Sequence, residues 1–300
     1  MAPTYPYVCI LDWDGTVVGK VDFQSQAFTL IHTLRRMGIK TPPMNTSAFS
    51  KDHKLVRPYF ADFIKTLQRF YSAEGGMHFF IYTASMKTWA IQEIGWVERA
   101  HDVAFDRPIF TRDECQKSEG GSYTKSIAKI YPRICKSLGL VTKEARDYVL
   151  EHQLMIIDNR AVYTDHVDKL LLCPDYDYAV FENLLDYIPA SATKDAQSII
   201  YGLVNGGLLC PSSGAGGASG ATGTSGDKMR ALAKSYAWLA TKCEAISEAN
   251  KVYESDDFWR YIRKLITQNH LKTMNANVIK QLQTAAWQHA KRVTRAARTA

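Results

Sequence analysis

The amino-acid sequence predicts a doubly wound parallel α/β domain with small insertions, followed by a linker and a small all-α C-terminal segment. Short apolar runs alternate with helical patterns before position 211. A stretch of Gly, Ser, Ala and Thr then runs without a charge from Pro211 to Gly226. After this stretch the pattern is helical throughout, which separates the two parts of the chain.

Four apolar runs have the length of strands and are apolar at consecutive positions. Such runs are expected of parallel strands that are buried on both faces. They cover residues 8–11, 79–82, 154–157 and 170–173. The clearest helical patterns between them cover 59–71 and 124–138. This alternation is typical of a parallel sheet with helices on both sides.

The Gly- and Ser-rich stretch cannot bury enough apolar surface to offset the entropy lost on ordering, so we expect a flexible linker. We therefore divide the chain into three parts. These are an α/β domain at 1–195, a linker region at 196–227 and a basic helical domain at 228–300.

The C-terminal part is expected to contain three helices, at 228–252, 256–270 and 276–299. Ser255 is expected to cap the second helix, with two aspartates in its first turn. The tryptophans Trp238, Trp259 and Trp287 are interpreted as the core of a small helical bundle.

Composition excludes several classes of protein. No window approaches the roughly 20 apolar residues of a membrane span, so we expect no membrane association. The six cysteines are scattered and the eight histidines lack the spacing of metal ligands. Reduced thiols of this kind favour the cytoplasm or the nucleus over a disulfide-rich or zinc-binding protein.

The formal charge of +7 is unevenly distributed. Residues 228–300 contain 14 Lys and Arg against 5 Asp and Glu, whereas residues 1–210 contain 23 against 24. Contact with nucleic acid, if there is any, is therefore expected at the C-terminal segment.

Polar side chains follow three of the apolar runs. The first run ends in Asp12-Trp13-Asp14-Gly15-Thr16, the second in Thr83-Ala84-Ser85 and the third in Asp158-Asn159. Ligands of open α/β sheets bind at the carboxyl ends of the strands. We therefore expect these acids, hydroxyls and the amide to meet in one cleft.

The chemistry that this set favours is phosphoryl transfer. A carboxylate can attack phosphorus and form an aspartyl-phosphate, and a second carboxylate can exchange protons with the leaving oxygen and with water. Two carboxylates would repel a phosphate dianion unless a hard cation such as Mg²⁺ lay between them. The sequence therefore predicts a phosphate site with Mg²⁺ as cofactor.

The sequence resembles the haloacid dehalogenase superfamily of phosphatases at four motifs in the expected order. These are residues 12–16, Thr83, Lys125 and Asp158-Asn159. A closer resemblance is to the branch of RNA polymerase II C-terminal-domain phosphatases and NLI-interacting-factor-like phosphatases. It extends over roughly residues 5–190 and rests on Arg57-Pro58, Tyr82-Thr83-Ala84-Ser85, Phe110–Cys115 and Tyr123-Thr124-Lys125.

The resemblance implies a role for each matched residue. Asp12 would be nucleophile and metal ligand, and Asp14 would be general acid and base and contribute to the metal site. Thr83 would bind a phosphate oxygen and Lys125 would neutralise the aspartyl-phosphate. The full implied sets are catalytic Asp12, Asp14, Thr83 and Lys125; metal-binding Asp12, Asp14, Asp158 and Asn159; and phosphate-binding Gly15, Thr16, Thr83, Ala84 and Lys125. Asp158 would contribute to the metal site indirectly, by orienting Lys125 or a water molecule outside the direct ligands of the metal ion.

The segments between the motifs are short, which leaves the cleft open and favours a phosphoprotein substrate carrying phosphoserine or phosphothreonine. Two alternatives stay open. One is a nucleotide or polynucleotide end phosphatase, with the basic segment holding the strand. The other is a phosphate-binding interaction scaffold with a nucleic-acid-binding tail.

Overall fold

The computed structural model describes residues 4–187, 189 and 240–299. These residues form two compact units. The larger unit contains residues 4–20, 46–178 and 253–299, and the smaller one contains the described residues of 21–45 and 179–252. The larger unit holds both sheets and all the candidate site residues.

The chain forms six strands in the described residues. They are β1 (Tyr7–Leu11), β2 (Met77–Ile81), β3 (Gln116–Lys117), β4 (Tyr123–Thr124), β5 (Leu154–Asp158) and β6 (Leu170–Leu172). Four of them form a parallel sheet in the order β2-β1-β5-β6, and β3 pairs with β4 in a small antiparallel hairpin.

The principal helices are α1 (Asp22–Arg36), α2 (Phe60–Phe70), α3 (Lys87–His101), α4 (Ile127–Ser137), α5 (Lys143–Tyr148), α6 (Phe258–Gln268) and α7 (Ala276–Thr299). Helix α5 continues into one π-helical turn, Val149–Gln153, before β5. Residues 240–250 are also helical.

The central strand β1 is buried at every position because helices cover both faces of the sheet. Successive side chains of a strand point to opposite faces. Ile10 packs in a cluster with Ile130 and Ile134 of α4 on one face. On β2, the ring of Phe79 meets Phe63 of α2, 6.0 Å between centroids. The predicted α/β fold is thereby confirmed.

The four predicted strands are present, and the helix predicted from residue 124 begins slightly later. Tyr123 and Thr124 pair with Lys117 and Gln116 in the hairpin. Ser126 then caps α4 by accepting a hydrogen bond from the backbone N–H of Lys129 at 3.3 Å. Residue 125 therefore lies between a strand and a helix cap, which restricts its backbone.

The smaller unit is built around α1. The apolar face of this helix, including Leu30 and Leu34, packs against Leu184 and Tyr187. The Tyr187 hydroxyl donates to Glu182 at 2.6 Å, and Gln24 donates to the carbonyl of Val180 at 2.8 Å.

The C-terminal helices lie within the unit that contains the sheet. Trp259 of α6 is buried against Phe60 and Phe63 of α2, with ring centroids 5.2 and 4.7 Å apart. Helix α7 packs beside β6, where the Gln283 side chain binds both the N–H and the carbonyl of Leu172, at 2.6 and 3.0 Å. The boundaries predicted at 195 and 227 stay a prediction, because residues 190–239 lie outside the described part of the chain.

Two details predicted for this segment are corrected. The residue at the N-cap of α6 is Asp257 rather than Ser255, and its side chain makes no capping hydrogen bond. Asp256 pairs instead with Arg57, and the helix begins at Phe258, two residues later than predicted. Trp287 is 57% exposed and is not a core residue, whereas Trp238 lies outside the described residues.

In the described residues, no helix has the length and apolar content needed to cross a membrane.

Candidate active site

The site lies at the carboxyl ends of the parallel strands. Because β1 lies between β2 and β5, the residues that follow these three strands meet at one edge of the sheet. Asp12 directly follows β1, and its backbone N–H donates to the carbonyl of Ile157 in β5 at 2.9 Å. Thr83 follows β2 closely, and Asp158 ends β5.

Lys125 joins two of the acids in a buried cluster. Its ammonium group lies 2.6 Å from Asp12 Oδ1 and 2.8 Å from Asp158 Oδ2. Burial acts to lower the pKa of Lys125, but Asp12, Tyr163 and Asp158 outweigh it and leave the pKa well above its ordinary value. The lysine therefore carries its positive charge next to Asp12 at any physiological pH.

The backbone around Lys125 is held by the segment after β5. The Lys125 N–H donates to Val162, and its carbonyl accepts from Thr164, both at 2.9 Å. Asp165 accepts hydrogen bonds from the Ser126 hydroxyl at 2.6 Å and from the N–H of Ile127 at 2.7 Å. This carboxylate at the start of α4 fixes the helix, and with it the lysine, over the sheet edge.

Asp14 lies on the other side of Asp12 and faces the second strand end. Its Oδ2 accepts from the hydroxyls of Thr83 at 3.1 Å and Ser85 at 3.0 Å. Burial, followed by the charge of Asp12, raises the pKa of Asp14 to about 6, although both hydroxyls lower it. Asp14 can therefore hold or release a proton near neutral pH, as an acid–base residue must.

Gly15 and Thr16 form the turn that opens the cleft. Gly15 has φ +77°, and a Cβ there would come within 2.4 Å of Asn159 Nδ2, so a side chain at this position would strain the backbone and displace the Asn159 amide. The Thr16 hydroxyl lies 3.1 Å from Asp12 Oδ2 and 3.3 Å from Asn159 Oδ1. It also accepts the backbone N–H of Asn159 at 3.0 Å. Thr16 thus ties the ends of β1 and β5 together.

The structure brings together all the residues that the sequence singled out. Ala84 lies in the same turn as Thr83, and its carbonyl accepts a hydrogen bond from Arg112 Nε at 2.7 Å. Asp158 uses both carboxyl oxygens, one with Lys125 and one with the N–H of Arg160 at 2.7 Å. Burial and then the charge of Asp12 raise the pKa of Asp158 to about 6, while Lys125 lowers it.

Two residues that complete the site received no role from the sequence. Ser85 is the second hydroxyl on Asp14. Asp175 accepts a hydrogen bond from Asn159 Nδ2 at 2.6 Å and so sets which way the amide points. Asp175 follows the fourth strand, β6, closely. The rule that ligands gather at strand ends would have found it, had it been applied to that strand as well.

The oxygen atoms at this edge fit a hard cation. Across the described ranges, no group of three or more His, Cys, Asp and Glu side chains is arranged to hold a metal ion. A cation here would therefore also need amide or backbone oxygens. Asp175 binds the nitrogen of the Asn159 amide, so that the amide oxygen Oδ1 points toward Thr16. Asn159 Oδ1 and Asp12 Oδ2 both lie within 3.3 Å of Thr16 Oγ1. Carboxylate and amide oxygens of this kind suit Mg²⁺.

Comparison with known proteins gives one family match and several matches to solved structures. Residues 7–195 match the family model of the NLI interacting factor-like phosphatases. A comparison with curated proteins finds no match.

Two similar solved structures are both of the RNA polymerase II CTD phosphatase Fcp1. The first, of the fission yeast protein bound to beryllium fluoride, has a TM-score of 0.36 and 13% identity, and the match covers 91% of this chain and 69% of that one. The second has a TM-score of 0.33 and 12% identity, with the same coverage of 91% and 69%.

The family match spans more than half of the sequence and includes every residue gathered around Asp12. This chain therefore belongs to the NLI interacting factor-like phosphatase family.

Proposed function

We propose that this phosphatase is a Mg²⁺-dependent phosphoric monoester hydrolase that works through an aspartyl-phosphate on Asp12. The observation that carries the proposal is the contact of 2.6 Å between Lys125 Nζ and Asp12 Oδ1 in a buried site. In an aspartyl-phosphate, which is an acyl phosphate, the negatively charged phosphoryl oxygens lie next to the carboxyl group of Asp12, and a buried ammonium group there stabilises their charge strongly.

The reaction would proceed in two steps. A carboxylate oxygen of Asp12 attacks phosphorus, the bond from phosphorus to the ester oxygen breaks, and Asp14 gives its proton to the departing oxygen. Water then attacks the phosphorus of the aspartyl-phosphate, Asp14 takes a proton from it, and phosphate leaves with the Asp12 carboxylate restored. Thr83 lies beside Asp14, where its hydroxyl can turn to a phosphate oxygen.

Asp12, the Asn159 amide oxygen and the backbone carbonyl of Asp14 would hold the metal. When bound, Mg²⁺ would neutralise the charge between the aspartates and the incoming phosphate. Asp158 has both oxygens engaged, with Lys125 and with Arg160. Its role would accordingly be to orient Lys125 rather than to contact the ion directly.

Proteins carrying phosphoserine or phosphothreonine are the substrate class that we propose. After α3, the segment between the second and third motifs adds a short hairpin, β3 and β4, whose residues Gln116 and Lys117 are exposed. So small an insertion leaves room for a bulky substrate. The sequence resemblance to C-terminal-domain phosphatases supports the same class.

Part of the basic charge of the C-terminal segment is paired with carboxylates in the described residues. Arg260 pairs with Asp257, Arg263 with Asp62 and Lys272 with Glu74. Cations already paired with carboxylates contribute less to phosphate binding than the formal charge suggests.

The decisive experiment compares substrates and one substitution. The full chain with Mg²⁺ is assayed on phosphoserine and phosphothreonine peptides, nucleoside monophosphates, phosphate-ended oligonucleotides and an aryl phosphate. We expect the highest kcat/KM on the peptides. Faster turnover of the oligonucleotides would replace the proposal with the end-phosphatase alternative.

Asp12→Asn tests the intermediate. Acid-quenched reactions with ³²P-labelled substrate should label the wild-type protein and leave Asp12→Asn unlabelled and inactive. Asp102→Asn, at a residue whose side chain is 91% exposed, is the matched control and should behave as wild type. Binding of phosphopeptide without any hydrolysis would instead indicate a scaffold.

A further inference from the structure

The C-terminal segment contacts the domain that contains the site through an ion pair between Asp256 and Arg57. Arg57 Nε and Nη2 lie 2.9 and 2.8 Å from the two carboxyl oxygens of Asp256. The side chain of Arg57 is fully buried and that of Asp256 is 14% exposed. Asp256 lies beyond residue 195, where the family match ends, so this pair is not contained in the matched region.

Arg57 in turn holds the short segment that follows β6, residues 173–176, here named the supporting segment. Its Nη1 donates to the carbonyl of Pro174 at 3.0 Å. The guanidinium also lies over the ring of Tyr176 at 5.2 Å and over that of Phe258, from α6, at 4.8 Å. The cation thus binds the supporting segment and the C-terminal segment at once.

The supporting segment touches the site. The N–H of Cys173 donates to the carbonyl of Asp158 at 3.0 Å, and the N–H of Tyr176 donates to the carbonyl of Gly15 at 2.9 Å. Between them, the Asp175 carboxylate accepts the Asn159 amide at 2.6 Å. A displacement of residues 173–176 would therefore turn the amide whose oxygen faces the cleft.

Because Arg57 is buried, it needs the carboxylate of Asp256 to compensate its charge. A guanidinium withdrawn from water is stable only when a carboxylate and hydrogen-bond acceptors compensate its charge. Asp256 supplies the carboxylate, and the Pro174 carbonyl supplies a further acceptor. Without Asp256, Arg57 would have to move toward water, and its contacts with Pro174 and Tyr176 would be lost.

We propose that Asp256 is a positioning residue for the metal site, acting through Arg57 and the supporting segment on Asn159. This inference rests on the proposed function, since it requires Asn159 to be a metal ligand. The C-terminal segment is then a working part of the active site and not only an appended domain.

The test uses the full chain carrying Asp256→Asn or Phe258→Leu. The latter keeps the ion pair and removes one ring from the guanidinium. Mg²⁺ affinity is read in two ways: from the rise of the melting temperature with MgCl2 concentration, and from the Mg²⁺ dependence of aryl phosphate hydrolysis. We expect Asp256→Asn to need about 2- to 30-fold more Mg²⁺, and Phe258→Leu, in which the ion pair stays, to keep the wild-type requirement. At saturating Mg²⁺, kcat should return close to the wild-type value.

Trp259→Leu is the control for a general loss of stability. Trp259 belongs to the same helix and packs on Phe60 and Phe63. This variant should lower the melting temperature without changing the Mg²⁺ requirement. An equal change in Trp259→Leu would overturn the proposal, because the effect would then follow stability alone.

Wild-type Mg²⁺ dependence in folded Asp256→Asn, or an equal rise in the Mg²⁺ requirement of Phe258→Leu, would also overturn it. Should Asp256→Asn fail to fold, Asp256→Glu, which keeps the charge but lengthens the side chain that reaches Arg57, decides the question by the same comparison. A wild-type protein that shows neither Mg²⁺-dependent hydrolysis nor a Mg²⁺-induced thermal shift would instead refute the proposed function itself. The two failures are therefore distinguishable.

Discussion

Lys125 and Asp12, separated by 113 positions in the sequence, form the shortest contact between oppositely charged groups at the site edge, at 2.6 Å. The rings of Tyr82 and Tyr163 lie 5.5 and 5.6 Å from the same ammonium group. Four groups therefore hold the lysine in place, including Asp158. A cation that is already in position costs no reorganisation when charge develops at Asp12.

We expect Lys125→Met to reduce kcat by about 10²- to 10³-fold, the usual loss when one preorganised charge-stabilising donor is removed. Steady-state hydrolysis of a phosphopeptide measures the effect. Lys129→Met, which removes an exposed lysine of α4, is the control. A loss of less than tenfold would show that Lys125 does not stabilise the charge that develops at Asp12.

Asp14 should make the two chemical steps respond to pH in opposite directions. Its pKa of about 6 means that the proton needed by the leaving group is present below this value and lost above it. Formation of the aspartyl-phosphate should therefore slow as pH rises through about 6. Its hydrolysis, which needs the carboxylate form, should slow as pH falls through the same value. Rapid-quench measurement of each step separates the two.

Asp14→Asn should remove both pH dependences. The loss should be about 10²- to 10⁴-fold on phosphoserine, whose alkoxide must be protonated, and smaller on an aryl phosphate with a good leaving group. Equal losses on the two substrates would contradict an acid–base role for this residue.

Gly15→Ala should weaken Mg²⁺ binding through a steric effect on Asn159. The new Cβ would come within 2.4 Å of Asn159 Nδ2, so the amide must turn away from Asp175. The φ of +77° adds about 1–2 kcal/mol of strain for a residue with a side chain. Titration of the thermal shift with MgCl2 measures the loss of affinity.

Gly139→Ala is the matched control, since Gly139 has φ +66° and a Cβ there would have no atom within 4 Å. It should lower stability to a similar extent and leave the Mg²⁺ requirement unchanged. Equal Mg²⁺ requirements in the two variants would show that the contact with Asn159 is unimportant.

Glu93, on α3, should make the protein less stable as pH rises. Burial, and then the charge of Asp14, raises the pKa of Glu93 well above its ordinary value, although the indole groups of Trp13 and Trp89 lower it. A carboxyl whose pKa is raised by folding binds more protons in the folded than in the unfolded chain. The contribution of Glu93 to the free energy of unfolding is therefore complete when the pH is below the pKa of Glu93 in the unfolded chain. It is lost as the pH rises toward the higher pKa of Glu93 in the folded chain.

Glu93→Gln should accordingly raise the free energy of unfolding at pH 8, by about 1–3 kcal/mol, and have little effect at pH 4. Urea unfolding at the two pH values measures the difference. Glu151→Gln, at an exposed position, should change neither value. A Glu93→Gln variant that is less stable at pH 8 would show that the buried carboxylate is compensated.

The sequence alone predicted the sheet and the gathering of polar side chains at its carboxyl edge. Consecutive apolar positions predicted β1, β2, β5 and β6, because parallel strands buried on both faces have no polar side. Parallel strands also present their carboxyl ends at one edge of the sheet. The polar residues that follow each strand, Asp12 among them, therefore predicted a shared cleft without knowledge of distances.

Tertiary structure decided the contacts that link distant parts of the chain. Arg57 and Asp256 are 199 positions apart. Sequence periodicity reports only which face of a local element is buried, so it could not show that α6 and α7 pack in the unit that holds the sheet, and it placed the cap of α6 at Ser255. The partner of a buried charge is chosen by packing and desolvation, and these exist only once the chain has folded. For the same reason only the structure shows Asp175 setting the direction of the Asn159 amide.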